Sequence, residues 1–370
     1  MGAMTRFPNR LLRVAVFALL VLAVSASASS TPTRRLKQAS GPITALAIDG
    51  SRVVYSTDPG DVYVWDVPSG RTWHPRLSSG SDFPPVTQVA IAGRRVAWIR
   101  SDVAGNSMET NENLVTTTLG SYGARTLAHA YRDFDLGVGQ WHGDWISGLV
   151  GSGKTLVVSR WTTTPDAGGP TEAMSNARLS LIGVSAGRLR TLASGNDVIV
   201  SGGVDAHGVA VARPSGTVAF YSFAGTLLWQ TTSSPATAIA MGGGRVAVLT
   251  KTKTLEVYDS RTGAFEHRWP IKTRSAYLQV GHLQAYGRIA VFSVDPRYAS
   301  RNLRILDLET GKSLILPSRP RSAWNDASVG PLGVVYAVND YRAYGGRHPT
   351  GTLVFLSAAR VLDGIARGHL

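Results

Sequence analysis

Residues 148 to 155 read GLVGSGKT, which puts Gly148, Gly153, Lys154 and Thr155 at the positions of a G-x-x-x-x-G-K-[ST] phosphate-cradling loop. That loop works only between a strand and a helix, where converging amides and a helix N-terminus meet the phosphate. The chain continues as LVVSRWTTTPDAGGP, β-branched at first and then broken by Thr, Pro and Gly. A helix of about 10 to 12 residues cannot start there. The match therefore reads as a strand-turn-strand, and no nucleotide is expected. Other chemistry is sparse. The eight His residues are scattered and form no H-E-x-x-H spacing, and no G-x-S-x-G elbow occurs. There is no Cys, which removes thiolate metal sites, disulfides and a Cys nucleophile. Neither a metal nor another cofactor is expected.

The elements that would position any site repeat along the chain. A short apolar strand, a Gly-containing turn and a second apolar strand recur as TALAIDGSRVVYS, TQVAIAGRRVAWIR, TAIAMGGGRVAVLT and four further copies. The first apolar residues after these turns are Val53, Val96, Leu156, Val209, Val246, Ile289 and Val334. Their mean spacing is about 47 residues, within the range of about 40 to 50 of propeller blades. A second hairpin follows in each unit, as in VYVWDVPSGRTWH and LEVYDSRTGAFEHRW. Three of these turns share Asp-x-x-x-Gly: Asp66 to Gly70, Asp259 to Gly263 and Asp307 to Gly311. Asp can accept from free turn amides, and Gly supplies the positive φ that returns the chain to a strand. Each unit is thus four strands, and no segment after the N-terminus shows sustained helical periodicity.

An apolar strand, Asp-x-x-(Thr/Ser)-Gly, and then a strand carrying Trp73 or Trp269 resembles the repeats of quinoprotein-like and WD40-like β-propellers. Trp229 holds the same place without the Asp. The resemblance spans roughly residues 36 to 365 as architecture and is specific in three of the seven turns. It implies an all-β fold: a single seven-bladed β-propeller of four-stranded antiparallel blades, with six or eight blades as alternatives. RRLKQ (34 to 38) and RVLDG (360 to 364) both read as an outer strand able to complete the last blade. The resemblance also suggests a quinone-dependent enzyme, but this chain has no Cys, fewer units than those enzymes and no recognisable cofactor set.

Within that fold one face would collect the long connections: 101 to 113, 131 to 145, 161 to 176, 295 to 302, 318 to 326 and 339 to 351. Long loops on a rigid scaffold are where binding resides. The candidate binding face comprises Tyr131, Asp133, Trp141, His142, Asp144, Arg297, Tyr298, Arg301, Arg319, Arg321, Trp324, Tyr341, Arg342 and Arg347, rich in the types enriched at interface hot spots. The expected function is a non-catalytic module that binds a protein or an anionic glycan. The alternative is a carbohydrate-active or other hydrolytic enzyme using carboxylates such as Asp133, Asp135, Asp144 and Asp340 at the channel mouth.

The N-terminus carries Arg6, Arg10 and Arg13, then the apolar run VAVFALLVLAV (14 to 24) and Ala26-Ser27-Ala28. This pattern reads as an export signal over residues 1–28, too short in its apolar part for a stable membrane span. A short segment, 29–41, able to take part in blade closure, precedes the propeller at 42–370. The expected location is secreted, extracellular or in the cell envelope, periplasmic where there are two membranes. A formal net charge of +14 favours acidic partners, but no run of five basic residues marks a nucleic-acid surface.

Overall fold

The computed structural model describes residues 34–58, 60–75, 85–104, 109–121, 123–137, 139–164, 173–183, 188–195, 201–213, 215–272, 283–294, 302–316, 326–340 and 350–370. These belong to one compact unit, Arg34–Leu370. The export-signal reading lies outside the described residues.

A lone strand, β1 (Arg34–Gln38), comes first. Sets of four follow. The first is β2 (Ile43–Asp49), β3 (Arg52–Thr57), β4 (Asp61–Asp66) and β5 (Thr72–Trp73). The second is β6 (Val86–Ala92), β7 (Arg95–Ala104), β8 (Glu109–Thr118) and β9 (Arg125–Asp135), and the third β10 (Gln140–Ser152), β11 (Thr155–Thr164), β12 (Ala173–Ile182) and β13 (Leu189–Gly195). The fourth is β14 (Ser201–Val204), β15 (Val209–Ala212), β16 (Thr217–Tyr221) and β17 (Leu227–Thr232). The fifth is β18 (Ala236–Gly242), β19 (Arg245–Thr250), β20 (Thr254–Asp259) and β21 (Phe265–Pro270), and the sixth β22 (Gln284–Tyr286), β23 (Ile289–Val294), β24 (Asn302–Asp307) and β25 (Ser313–Leu316). The chain ends with β26 (Ala327–Gly330), β27 (Gly333–Asp340), β28 (Thr350–Ser357) and a helix, α1 (Ala358–Arg367).

Among the described residues the fold is all-β apart from α1. Among these residues the strands form antiparallel sheets, five of four strands and one of eight, in sequence order except where β1 joins β28, and none closes on itself. The last sheet is β26-β27-β28-β1: β1 pairs with β28 in the register Arg34↔Leu356 to Gln38↔Thr352. Of the two candidate outer strands, RRLKQ is therefore the one that pairs. RVLDG lies in α1 instead, a correction to the all-strand reading. Ser357 caps that helix by accepting from the Arg360 amide, Gly368 ends it in the left-handed conformation, and Val361 and Ile365, four apart, are buried.

Neighbouring sets share apolar cores. Trp98 of the second set packs with Val54 and Val64 of the first, and Ile99 with Leu156 of the third. Val157 of the third meets Val211 of the fourth, Phe220 of the fourth meets Val248 of the fifth, and Leu255 of the fifth meets Phe292 of the sixth. Ile305 packs with Val354 and with Val361 of α1, and Phe355 of the last sheet packs with Val53 of the first. Strands between two such cores are buried on both sides, which is why β15 reads VAVA without a polar break. The outermost strands, such as β17 and β21, alternate.

Side chains also stitch the sets together. Trp229 donates from Nε1 to the Ser260 carbonyl and Trp269 to the Leu308 carbonyl, each at 2.9 Å. Both rings lie against the Gly of the next set's Asp-x-x-x-Gly turn. A Cβ on Gly311 would come within 2.3 Å of the Trp269 ring, and the residue also holds φ +69°. The Asp of the motif organises the turn: Asp259 Oδ1 accepts from the Thr262 amide at 2.8 Å and hydroxyl at 2.7 Å. In two outer strands without the Trp, β13 and β1, an Arg takes its place. Arg190 donates to the Ala224 carbonyl at 2.7 Å, and Arg35 of β1 donates to the Pro68 carbonyl at 2.6 Å.

Three segments read as long connections are largely strand. Residues 101–104 and 109–113 extend β7 and β8, 131–135 and 140–145 extend β9 and β10, and 161–164 and 173–176 extend β11 and β12. The extended β9 and β10 pair through Gln140↔Asp135 to Gly143↔Arg132, which joins the second and third sets into the eight-stranded sheet. The reason is that polar residues fill the inward positions. Thr110, Glu112, Thr116 and Arg132 are all buried, so the period of two is present but not apolar.

Candidate functional site

The joined hairpin gathers an aromatic and charged cluster. Arg132 on β9 forms an ion pair with Glu112 on β8, with N···O distances of 2.8 and 2.9 Å and both side chains only 9% exposed. Glu112 Oε2 also accepts from the Ile146 amide at 3.0 Å. The Arg132 guanidinium lies 3.8 Å from the centroid of the Trp145 ring and 5.6 Å from that of Trp141. Trp145 stacks on its cross-strand partner Trp161 at 5.9 Å and 8°, meets Trp141 edge-on at 6.1 Å, and donates to Thr163 Oγ1 at 3.0 Å. Phe134 completes the row against Trp141 at 5.4 Å. Gly143 allows the approach, with φ +122° and room for no Cβ, which would fall 2.4 Å from the Tyr131 carbonyl oxygen. A hydrogen-bonded ion pair thus fixes the rings, yet Trp141, Trp145 and Trp161 remain partly exposed.

Alternate positions of the same strands carry a polar surface. His142 Nδ1 lies 3.1 Å from Asp133 Oδ1, and the two are directly paired in register. Glu109 stands opposite Asp133, and Tyr131 is two residues before it on the same strand. Partial loss of water, Glu109 and Asp133 together hold the Tyr131 phenol above its ordinary range, so it stays neutral and donates. Asp144 Oδ1 accepts from Thr162 Oγ1 at 2.6 Å. Beside it is a pocket of about 140 Å³, lined by Asp144, Trp145, Arg160, Trp161, Thr162 and Arg178. Arg160 and Arg178 are direct cross-strand partners, and neither makes an ion pair among the described residues.

The structure therefore brings together Tyr131, Asp133, Trp141, His142 and Asp144. Arg297, Tyr298, Arg301, Arg319, Arg321, Trp324, Tyr341, Arg342 and Arg347 lie outside the described residues. Sequence reading missed Glu112, Arg132, Arg160 and Arg178 as parts of this region. The signal available was the alternation of Arg132 and Phe134 with Tyr131 and Asp133, visible once 131 to 135 is taken as strand.

Two further openings lie where the sets meet. A narrow cavity of about 70 Å³ is lined by the first strand of every set, through Leu46, Val89, Leu149, Gly203, Ala240, Gln284 and Ser328. A wider one, about 870 Å³, lies among the short turns, with Gly153 of the GLVGSGKT segment on its wall. Thr155–Thr164 is a strand, and the Gly153 amide donates to Asp49 Oδ1 at 3.0 Å, while Asp49 Oδ2 accepts from the Gly93 amide at 2.8 Å. Ion pairs tie down several charges there: Arg245 to Glu266 at 2.9 Å and Arg288 to Glu309 at 3.0 Å. Arg288 also binds Asp307 at 2.6 Å. Burial pushes the Asp307 carboxyl up, but hydrogen bonds from Arg288, Thr310 and the Glu309 amide outweigh it and hold the pKa at about 2. Among the described residues, no three His, Asp or Glu side chains are grouped to hold a metal ion.

No family model and no curated protein matches the chain. Among solved structures, the computationally designed Ika8 protein is similar at 16% identity with a TM-score of 0.47, covering 86% of this chain and 98% of that one.

Proposed function

We propose that Arg34–Leu370 is a seven-bladed β-propeller, of the quinoprotein-like or WD40-like type, that is exported and serves as a non-catalytic binding module. The blade count is supported by the succession of contacts between first strands: β2 with β6, β6 with β10, then β14, β18, β22, β26 and back to β2. It is also supported by an apolar core between each set and the next, the last and first included. Closure of this kind protects the edges of the sheets. The eight-stranded sheet is then two blades linked by the β9–β10 hairpin. Export is supported by the basic start, the 11-residue apolar run and Ala26-Ser27-Ala28.

The observation that carries the binding role is the partly exposed row Trp141, Trp145 and Trp161 on a scaffold fixed by Arg132 and Glu112. Preset aromatic surface binds with little loss of side-chain freedom. The partner is a protein or an anionic glycan. The hydrolytic alternative draws less support. Asp133 is engaged with His142, Asp135 with the Gly137 amide and Asp144 with Thr162, and the pocket beside them holds one described acid. A cleft enzyme needs two, about 5 to 10 Å apart. The test is a screen of the secreted form against arrayed neutral and acidic glycans and envelope proteins, repeated with Trp145→Ala and Trp161→Ala. Each substitution should lower binding of the captured ligand at least tenfold while the melting temperature stays within a few degrees. Undiminished binding by both variants would reject this face.

A further inference from the structure

The pocket beside Asp144 contains an arrangement that folding alone does not favour. Arg160 and Arg178 face one another across β11 and β12, and like charges directly opposite in a sheet repel. Neither is neutralised among the described residues, although nearby Arg residues such as Arg132 are. Both line the same cavity of about 140 Å³. That volume suits one small group or the edge of a ring rather than a large ligand. Two guanidinium groups meeting at one cavity form a site for an oxyanion, which each can hold through paired N–H donors.

The other lining residues narrow the choice. Asp144 lies in the same wall, its Oδ1 taken by Thr162. A carboxylate there opposes a dianion such as a phosphate monoester, because one of its charges would remain close to Asp144. A monoanion with a neighbouring hydroxyl is complementary: the anion goes to the Arg pair and the hydroxyl donates to Asp144. Trp145 and Trp161 complete the lining, although they alternate with Asp144 and Thr162 along β10 and β11 and their rings stack on one another, so the charged and hydroxyl groups set the choice of ligand. Resting on the binding role proposed above, we infer that this pocket receives a uronate unit of an acidic glycan, with its carboxylate between Arg160 and Arg178 and a hydroxyl on Asp144.

The experiment is fluorescence or calorimetric titration with three hexasaccharide-sized probes: an oligogalacturonate, a sulfated glucan oligomer and neutral maltohexaose. The uronate should bind at least tenfold more tightly than the neutral oligomer and weaken as salt rises from 50 to 300 mM. Arg160→Ser with Arg178→Ser should remove that preference. Arg178→Gln alone, at an exposed position, should weaken uronate binding severalfold without altering the melting temperature, which covers the case in which the double variant fails to fold. Tighter binding of the sulfated or neutral probe by the wild type would overturn the uronate, as would uronate binding indifferent to Arg178→Gln. Loss of binding on Trp161→Ala, with no response to the Arg variants, would leave this a binding face and remove only the anion. Binding unaffected by either set would remove both.

Discussion

At the scale of residues, the turn-side charges have consequences that acid should expose. Asp307 has its folded pKa at about 2, against about 3.9 for an unfolded Asp. Its folded value is the lower one, so its stabilisation is complete above about pH 4 and disappears as pH falls through about 2. Arg288 is 40% exposed, which screens the pair and reduces the expected contribution to about 1–2 kcal/mol. Asp307→Asn should lose that amount at pH 7, by urea denaturation, and should show a smaller further loss between pH 4 and 2 than the wild type. Equal acid sensitivity in the two proteins would show that other carboxylates govern the response. Glu112 and Arg132 differ in kind from this pair. Both are buried, they face the Trp row, and removing either alone would leave a charge without compensation.

At the scale of elements, the contact between an outer-strand Trp and the next turn is a repeated joint. Gly311→Ala adds a methyl group where the Trp269 ring already sits, at a φ that favours glycine. It should cost about 2–4 kcal/mol, and Trp269→Ala in the same background should add less than it does alone, since the two changes share one contact. Thermal melts of the four proteins check this, and strict additivity would dissociate the ring from the turn. The joint was legible in the sequence, because Asp-x-x-x-Gly and the following Trp stand at fixed offsets. So were the strands buried on both sides, such as Val209–Ala212, since an unbroken apolar run records burial directly. The extended halves of β7 to β12 were not. Their inward positions hold Thr110, Glu112 and Arg132, and hydropathy cannot distinguish an ion pair inside a sheet from two charges on a loop. Helix α1 was missed for a related reason: RVLDG is too short to show a helical period by itself, and only Val361 with Ile365 reveals it.

At the scale of the whole described unit, the decisive feature is the pairing of its two ends. Gln38 and Thr352, bonded side chain to side chain at 2.9 Å, are 314 residues apart in the chain. The sequence offered two candidates for this place, and pattern alone had no means of choosing between segments that lie at opposite ends of the chain. Deleting residues 34–38 would strip β28 of its outer partner and free an edge. The truncated protein should melt lower by several degrees and aggregate in light scattering at concentrations where the full chain stays clear. An unchanged melting curve would mean that β1 is dispensable. The pairing has a further effect on how the molecule comes apart. In an open stack of repeats the terminal units have one neighbour each, so they fray first and unfolding spreads inward. Here the first set packs against the last through Val53 and Phe355, and the N-terminal strand belongs to the C-terminal sheet. In the propeller proposed above no unit is terminal, and separating any one of them requires breaking two interfaces at once. Cooperativity in such a molecule comes from connectivity as much as from the strength of any single contact.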